Sequence, residues 1–225
     1  MQRPTSLDRL AFLIGLLLIL SPIVNAQATS TEVVRIPSEA ASDLRQMDLH
    51  PVHDLTYGSF RWLELDSSEV GHLRSAGIPF SMVEGFGEVR VMGFHFDPLV
   101  EGEPKLPETM RARGEGSGLG LIQLIAPLRA EWEKTLGDLG ITLLQYYPHH
   151  AYLAWLSPPQ FERVGDLPFV RWSGRFHPAY KLNDDLAGRA GTVKNIDVMF
   201  FADERESVTL DDLRTLGDRI VTHRP

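Results

Sequence analysis

The chain has 225 residues, 43% of them apolar and 23% charged, with a formal net charge of −8 and no cysteine. That composition is ordinary for one or two globular domains. The acidic balance argues against nucleic-acid binding, which needs a basic face, and the lack of cysteine excludes disulfides and thiol chemistry.

The first 26 residues read as a secretory signal. Arg3 and Arg9 make a positive start, Leu10 to Val24 is an apolar run, and Val24-Asn25-Ala26 is a small-residue cleavage motif. Cleavage is expected between Ala26 and Gln27, with Ala26-Gln27-Ala28 as an alternative site. The run is shorter than the ~20 residues of a membrane span. The expectation is a secreted or periplasmic protein that has no membrane contact once the signal is removed.

Residues 27–56 are polar and weakly patterned, and read as a linker or loosely attached edge. Residues 57–110 read as a first module. Tyr57 to Leu65 alternates as a strand should, and Asp66-Ser67-Ser68-Glu69 is a helix-start cluster with an N-cap oxygen and early acids. Val70, Leu73 and Ala76 form a short stripe stopped by Gly77, and Ile78 to Val83 and Glu88 to Phe94 follow as strands. Residues 111–118 hold repeated glycines and read as a linker. They are no phosphate loop, because the Gly-Lys-Ser/Thr ending is missing and a strand follows where a helix is required.

Residues 119–182 carry the clearest pattern. Leu121 to Ile125 is a strand closed by Pro127. Leu128, Trp132, Leu136 and Leu139 form a helical stripe stopped by Gly140. Ile141 to Tyr147 and Ala151 to Leu156 are strands joined through Pro148-His149-His150. Ser157 before two prolines starts a second helix with Phe161, Val164 and Leu167 on its stripe, and Phe169 to Trp172 is the last strand. Strand, helix, strand, strand, helix, strand is the split-βαβ or ferredoxin-like arrangement, with both helices on one sheet face and the other face free for solvent or a partner. Residues 183–191 read as a linker and 192–225 as a truncated third module, with a strand over Val193 to Phe201, a helix through Leu210, Leu213 and Leu216, and half a strand from Asp218.

Three helix ends repeat the pattern of leucine, three residues, glycine: Leu73 to Gly77, Leu136 to Gly140 and Leu213 to Gly217, at intervals of 63 and 77 residues. The fold class expected is α+β, built from repeated ferredoxin-like modules with helices on one face and the third module incomplete.

No enzyme is expected. A serine hydrolase needs a nucleophile, a base and an orienting carboxylate. Ser117 and Ser173 sit beside glycines without the Gly-x-Ser-x-Gly elbow. His149 and His150 are adjacent and point apart, and no HExxH is present, so neither metal nor other cofactor is expected. Trp132 shares a stripe with leucines and reads as core; Trp172 reads as packed.

The motifs of the central module carry a family resemblance. Gln145-Tyr146-Tyr147-Pro148, Ala151-Tyr152-Leu153, Phe169-Val170-Arg171-Trp172-Ser173-Gly174 and His177-Pro178-Ala179-Tyr180-Lys181-Leu182 together resemble the non-catalytic N-terminal region of large bacterial subtilisin-like serine peptidases. That region carries a ferredoxin-like, propeptide-inhibitor-type module. Phe96-Asp97-Pro98-Leu99 and Tyr57-Gly58-Ser59-Phe60 look like its upstream segment, and His149-His150 departs from the small polar residue usual at the turn. The resemblance implies a module that packs its sheet on a peptidase domain, in cis or in trans, helps it fold, and blocks its cleft with the trailing segment. It places Tyr146, Pro148, Tyr152, Trp172, Gly174, Pro178, Tyr180 and Lys181 as structural or partner-facing residues. The residues alone leave a free-standing secreted protein-binding module as the alternative.

Overall fold

A computed structural model describes residues 31–183, 185, 186, 189, 191–198 and 206–216. The architecture is mixed α+β, with antiparallel sheets and a few helices, and the chain divides into two compact units between Phe86 and Gly87. The expected signal segment and its Ala26–Gln27 cleavage point lie outside the described residues. Among those described, no helix is long and apolar enough to cross a membrane.

In the first unit, β1 (Thr31–Pro37), β2 (His53–Thr56), β3 (Phe60–Asp66) and β4 (Ser81–Met82) form an antiparallel sheet in the order β2-β3-β1-β4. Val34 lies opposite Leu63, and directly opposed residues share a face. Val34, Ile36, Leu63 and Leu65 therefore line one side. Against it α1 (Ser67–Ser75) lays Val70 and Leu73, and two 3-10 turns at Ser38–Ala40 and Asp43–Gln46 add Ala40 and Leu44. The helix start is the one its sequence announces. Asp66 accepts hydrogen bonds from the Ser68 and Glu69 amides at 2.8 and 2.9 Å, and the Asp66 amide donates to the Glu69 carboxylate at 3.2 Å.

Here the linker expected over 27–56 is corrected. Its residues 31–37 are a central strand with Val33, Val34 and Ile36 buried, and 53–56 are an edge strand. The connection between them is made of 3-10 turns, which have no 3.6-residue stripe, so periodicity had nothing to detect.

In the second unit, β5 (Val89–Val91) and β6 (Phe94–Phe96) make a short hairpin. The main sheet is β7 (Gly118–Leu124), β8 (Leu143–Tyr147), β9 (Ala151–Leu156) and β10 (Val170–Arg175), all antiparallel, in the order β10-β7-β9-β8. Helix α2 (Ala130–Asp138) connects β7 to β8 and α3 (Pro158–Val164) connects β9 to β10. Helix α2 ends in Leu139 and Gly140, the latter at φ +69° as the stop requires. Gln160 in the first turn of α3 gives its amide to the Leu139 and Gly140 carbonyls at 2.8 and 3.0 Å and accepts from the Ser157 amide at 2.8 Å. One side chain thus closes the end of α2 and the start of α3.

Numbered within its own unit, each sheet has the order second, third, first, fourth strand, with the same antiparallel pairs. This corrects the alignment of helix ends. Helix α1 follows the third strand of its sheet, whereas α2 follows the first, so Leu73-to-Gly77 and Leu136-to-Gly140 are not equivalent. The equivalent pair is α1 and α3. Leu65-Asp66, Glu69 and Leu73 correspond to Leu156-Ser157, Gln160 and Val164 at a constant offset of 91 residues, and Ile78-Pro79-Phe80 corresponds to Leu167-Pro168-Phe169. The expected module over 57–110 is likewise split, because β5 and β6 belong to the second unit. Of the expected third module, α4 (Glu206–Leu216) is described, 193–198 form no strand, and the segment from Gly217 onward lies outside the described residues.

Trp132 is 8% exposed and stacks on Phe169 at 5.2 Å between ring centroids. Trp132→Ala removes that plate between α2 and the sheet, and is expected to cost about 3–5 kcal/mol of stability. Chemical denaturation measures it; an unchanged midpoint contradicts the placement.

Candidate functional site

The sheet face opposite the helices is not free. Alternation along β7, β9 and β10 puts Leu121, Leu153, Ala151, Trp172 and Phe176 on the side away from α2 and α3. The β5–β6 hairpin lays Val89, Val91, Phe94 and Phe96 over that side, and a 3-10 turn at Pro178–Lys181 folds Ala179 and Tyr180 back onto it. Tyr180 is 0% exposed and sits among the rings of Phe94, Phe96, Phe176 and His177, with centroids 5.0 to 6.1 Å away. The expectation of a sheet face left free for solvent or a partner is overturned, and Tyr180, expected as structural or partner-facing, is a core ring. An uncovered surface of this many aromatics carries a large hydrophobic penalty, and the chain's own flanking segments relieve it.

A polar latch orients the hairpin. Arg171 donates to both carboxylate oxygens of Asp97 at 2.9 Å, and its other terminal nitrogen donates to the Gly87 carbonyl at 3.0 Å and to Gln123 Oε1 at 3.1 Å. Gln123, 0% exposed near the end of β7, donates from Nε2 to the Glu88 carbonyl at 3.1 Å, with longer contacts to the Gly87 and His149 carbonyls. One guanidinium and one amide thus satisfy the backbone entering the hairpin, the carboxylate leaving it and the β8–β9 turn. Sequence reading missed this cluster. Its signals were a glutamine inside the apolar run Leu121 to Ile125 and an arginine inside Phe169 to Trp172.

The motif residues fall into two groups. Trp172, Gly174, Pro178 and Tyr180 belong to the covered face and its 3-10 turn. The Trp172 indole lies across Gly174, where a Cβ would come within 2.3 Å of the ring, so a side chain at 174 displaces the tryptophan. Tyr146, Pro148 and Tyr152 sit at the β8–β9 hairpin instead. Tyr146 is 54% exposed and meets Tyr152 edge-on at 5.3 Å. Burial, then the Tyr146 and Glu133 neighbours, raise the Tyr152 phenol above its ordinary value. Lys181 is exposed.

His149 and His150, at φ +60° and +62°, take the left-handed conformation at the β8–β9 turn. Asparagine and glycine suit that conformation best, which is a physical reason for a small polar residue there. After Trp172 the chain runs to His177, whose Nδ1 accepts from the Ala112 amide at 3.0 Å and whose Nε2 lies 3.0 Å from Glu103 Oε2. Among the described residues no three His, Asp, Glu or Cys side chains come together to hold a metal ion.

A family model described as a domain of unknown function (DUF8729) matches residues 90–177, less than half of the chain. No curated protein and no solved structure matches it.

Arg171→Met strands Asp97 and the Gly87 carbonyl in partly buried positions, and is expected to cost about 2–3 kcal/mol. Arg171→Lys recovers only part, because a single ammonium cannot hold Asp97 with one nitrogen and the Gly87 carbonyl and Gln123 with another. Limited proteolysis then cuts at 87–97 before the main sheet; unchanged cleavage there removes the latch assignment.

The His149 imidazole is held below its ordinary value by burial first and by Arg90 second, with Glu88 opposing. The unfolded chain therefore takes up this proton at higher pH than the folded one. Stability falls as pH drops below about 6.5 and is flat above it. His149→Asn removes that part of the slope, and thermal midpoints on either side of about pH 6.5 measure the difference. An identical slope in the variant assigns the pH dependence elsewhere.

Proposed function

We propose that this chain is the exported, non-catalytic pro-region or accessory part of a subtilisin-like serine peptidase, built from ferredoxin-like modules, and that it serves a peptidase domain as folding aid and inhibitor. The observation that carries this reading is the strand order. Two strand–connection–strand units interleaved as second, third, first, fourth are the split-βαβ arrangement of propeptide-type modules. The motifs from Tyr146 to Lys181 supply the link to the peptidase family. Because Tyr180 is buried, the segment that reaches a peptidase cleft begins after Leu182, and the contact surface is the outer edge of the sheet rather than its covered face.

That same covered face favours a second reading, a free-standing secreted protein-binding module that uses strand edges. Edge strand β8 offers unpaired backbone beside exposed Leu144 and Tyr146, the surface on which an extended peptide adds a strand.

One experiment separates the two. Residues 27–225 are added to a denatured subtilisin-like catalytic domain during refolding, and to the mature enzyme at micromolar concentration, over a panel that includes the peptidase encoded nearest to this gene. A higher yield of active enzyme together with slowed turnover supports the pro-region. No effect on either quantity across the panel leaves the binding module.

A further inference from the structure

A cleft of about 410 Å³ opens beside the end of β10, lined by Glu103, Glu108, Arg111, Ala112, Arg175 and His177. His177 is 6% exposed, and both of its nitrogens are engaged. Since Nδ1 accepts the Ala112 amide proton, Nε2 carries the ring proton and gives it to Glu103. The imidazole is thus a fixed wall that holds one Glu103 oxygen and the backbone at Ala112 in place.

The charges around this wall are unspent. Among the described residues no carboxylate lies within ion-pair distance of Arg111 or Arg175, and no cation lies within that distance of Glu108. Arg175 is oriented without being neutralised. Both of its terminal nitrogens donate to the Gly116 carbonyl at 3.1 Å, and its guanidinium lies 4.2 Å from the Phe161 ring centre.

We propose that this cleft binds a small zwitterion, whose carboxylate is taken by Arg111 and Arg175 and whose ammonium is taken by Glu108 and the free oxygen of Glu103. The charge balance selects this class. A bare anion such as phosphate meets two carboxylates in the lining, and a bare cation meets two guanidiniums. A molecule with both charges a few bonds apart satisfies all four. The volume is at the small end of ligand sites, which run from about 300 to 1,000 Å³. A free amino acid and a short peptide share the chemistry. The site is independent of the pro-region reading, since it uses no peptidase partner.

The test is a titration of isotopically labelled residues 27–225, following the amide signals of Ala112, Gly116 and His177. The probes are glycine, triglycine, acetate and inorganic phosphate. Saturable shifts are expected with glycine or triglycine, at least tenfold weaker with acetate and phosphate. A stronger response to glycine assigns a free amino acid, and a stronger response to triglycine a short peptide. Arg111→Ala and Glu108→Ala each weaken binding at least tenfold and, at exposed positions, leave the thermal midpoint unchanged. No saturable shift with either zwitterion up to roughly 10 mM, phosphate binding as tightly as glycine, or unaltered binding by Arg111→Ala overturns the proposal.

Discussion

The pair between Arg171 and Asp97 is what turns a sheet with a greasy face into a closed unit. The hairpin it holds has only three residues in each strand, and an isolated two-stranded ribbon of that size does not persist in water. Apolar contact through Val89, Val91 and Phe96 gives it a reason to adhere, but such contact has no direction. The planar guanidinium supplies the direction. It holds Asp97 after the hairpin with one terminal nitrogen, and the Gly87 carbonyl before it and Gln123 beneath it with the other. Burying Gln123 costs nothing unpaired, because its amide nitrogen answers backbone carbonyls and its oxygen answers Arg171.

With that face occupied, recognition moves to the margins of the unit. Among the exposed parts are the outer strand β8 with Leu144 and Tyr146, and the cleft framed by Glu103, Arg111 and Arg175. The first of these offers backbone and aromatic surface to a polypeptide, and the second offers fixed charge to something small. They lie on different elements, so a substitution in one leaves the other intact.

Much of the second unit was legible in the sequence because its elements obey their periods. The Trp132–Leu136 stripe, the Ser157 start and the Ala151 to Leu156 strand stand where the pattern puts them. The first unit was misread by one half-module. Its opening connection is made of 3-10 turns, so the sequence shows one helix, α1, which occupies the second connection of its sheet. Capping chemistry was the better guide: Asp66 with Glu69 and Ser157 with Gln160 are equivalent boxes, whereas the glycine stops at Gly77 and Gly140 end different helices. The covered face was not legible. Nothing in a local window tells that residues 89–96 will lie on a sheet assembled from residues 118–175, since that contact depends on Arg171 meeting a carboxylate 74 positions away. The Glu103–His177 contact spans the same distance, and its partners look unremarkable where they stand in the chain.

The matched family segment and the physical unit do not share their ends. The match runs from 90 to 177, which trims Val89 and the Gly87 and Glu88 carbonyls at one side and Ala179 and Tyr180 at the other. A polypeptide cut to those limits keeps every strand of the main sheet yet loses two of the three carbonyl acceptors of Gln123 and the central ring of the aromatic cluster. Such a piece presents wet apolar surface and self-associates, so the smallest portion worth producing by itself begins before Gly87 and continues through Leu182.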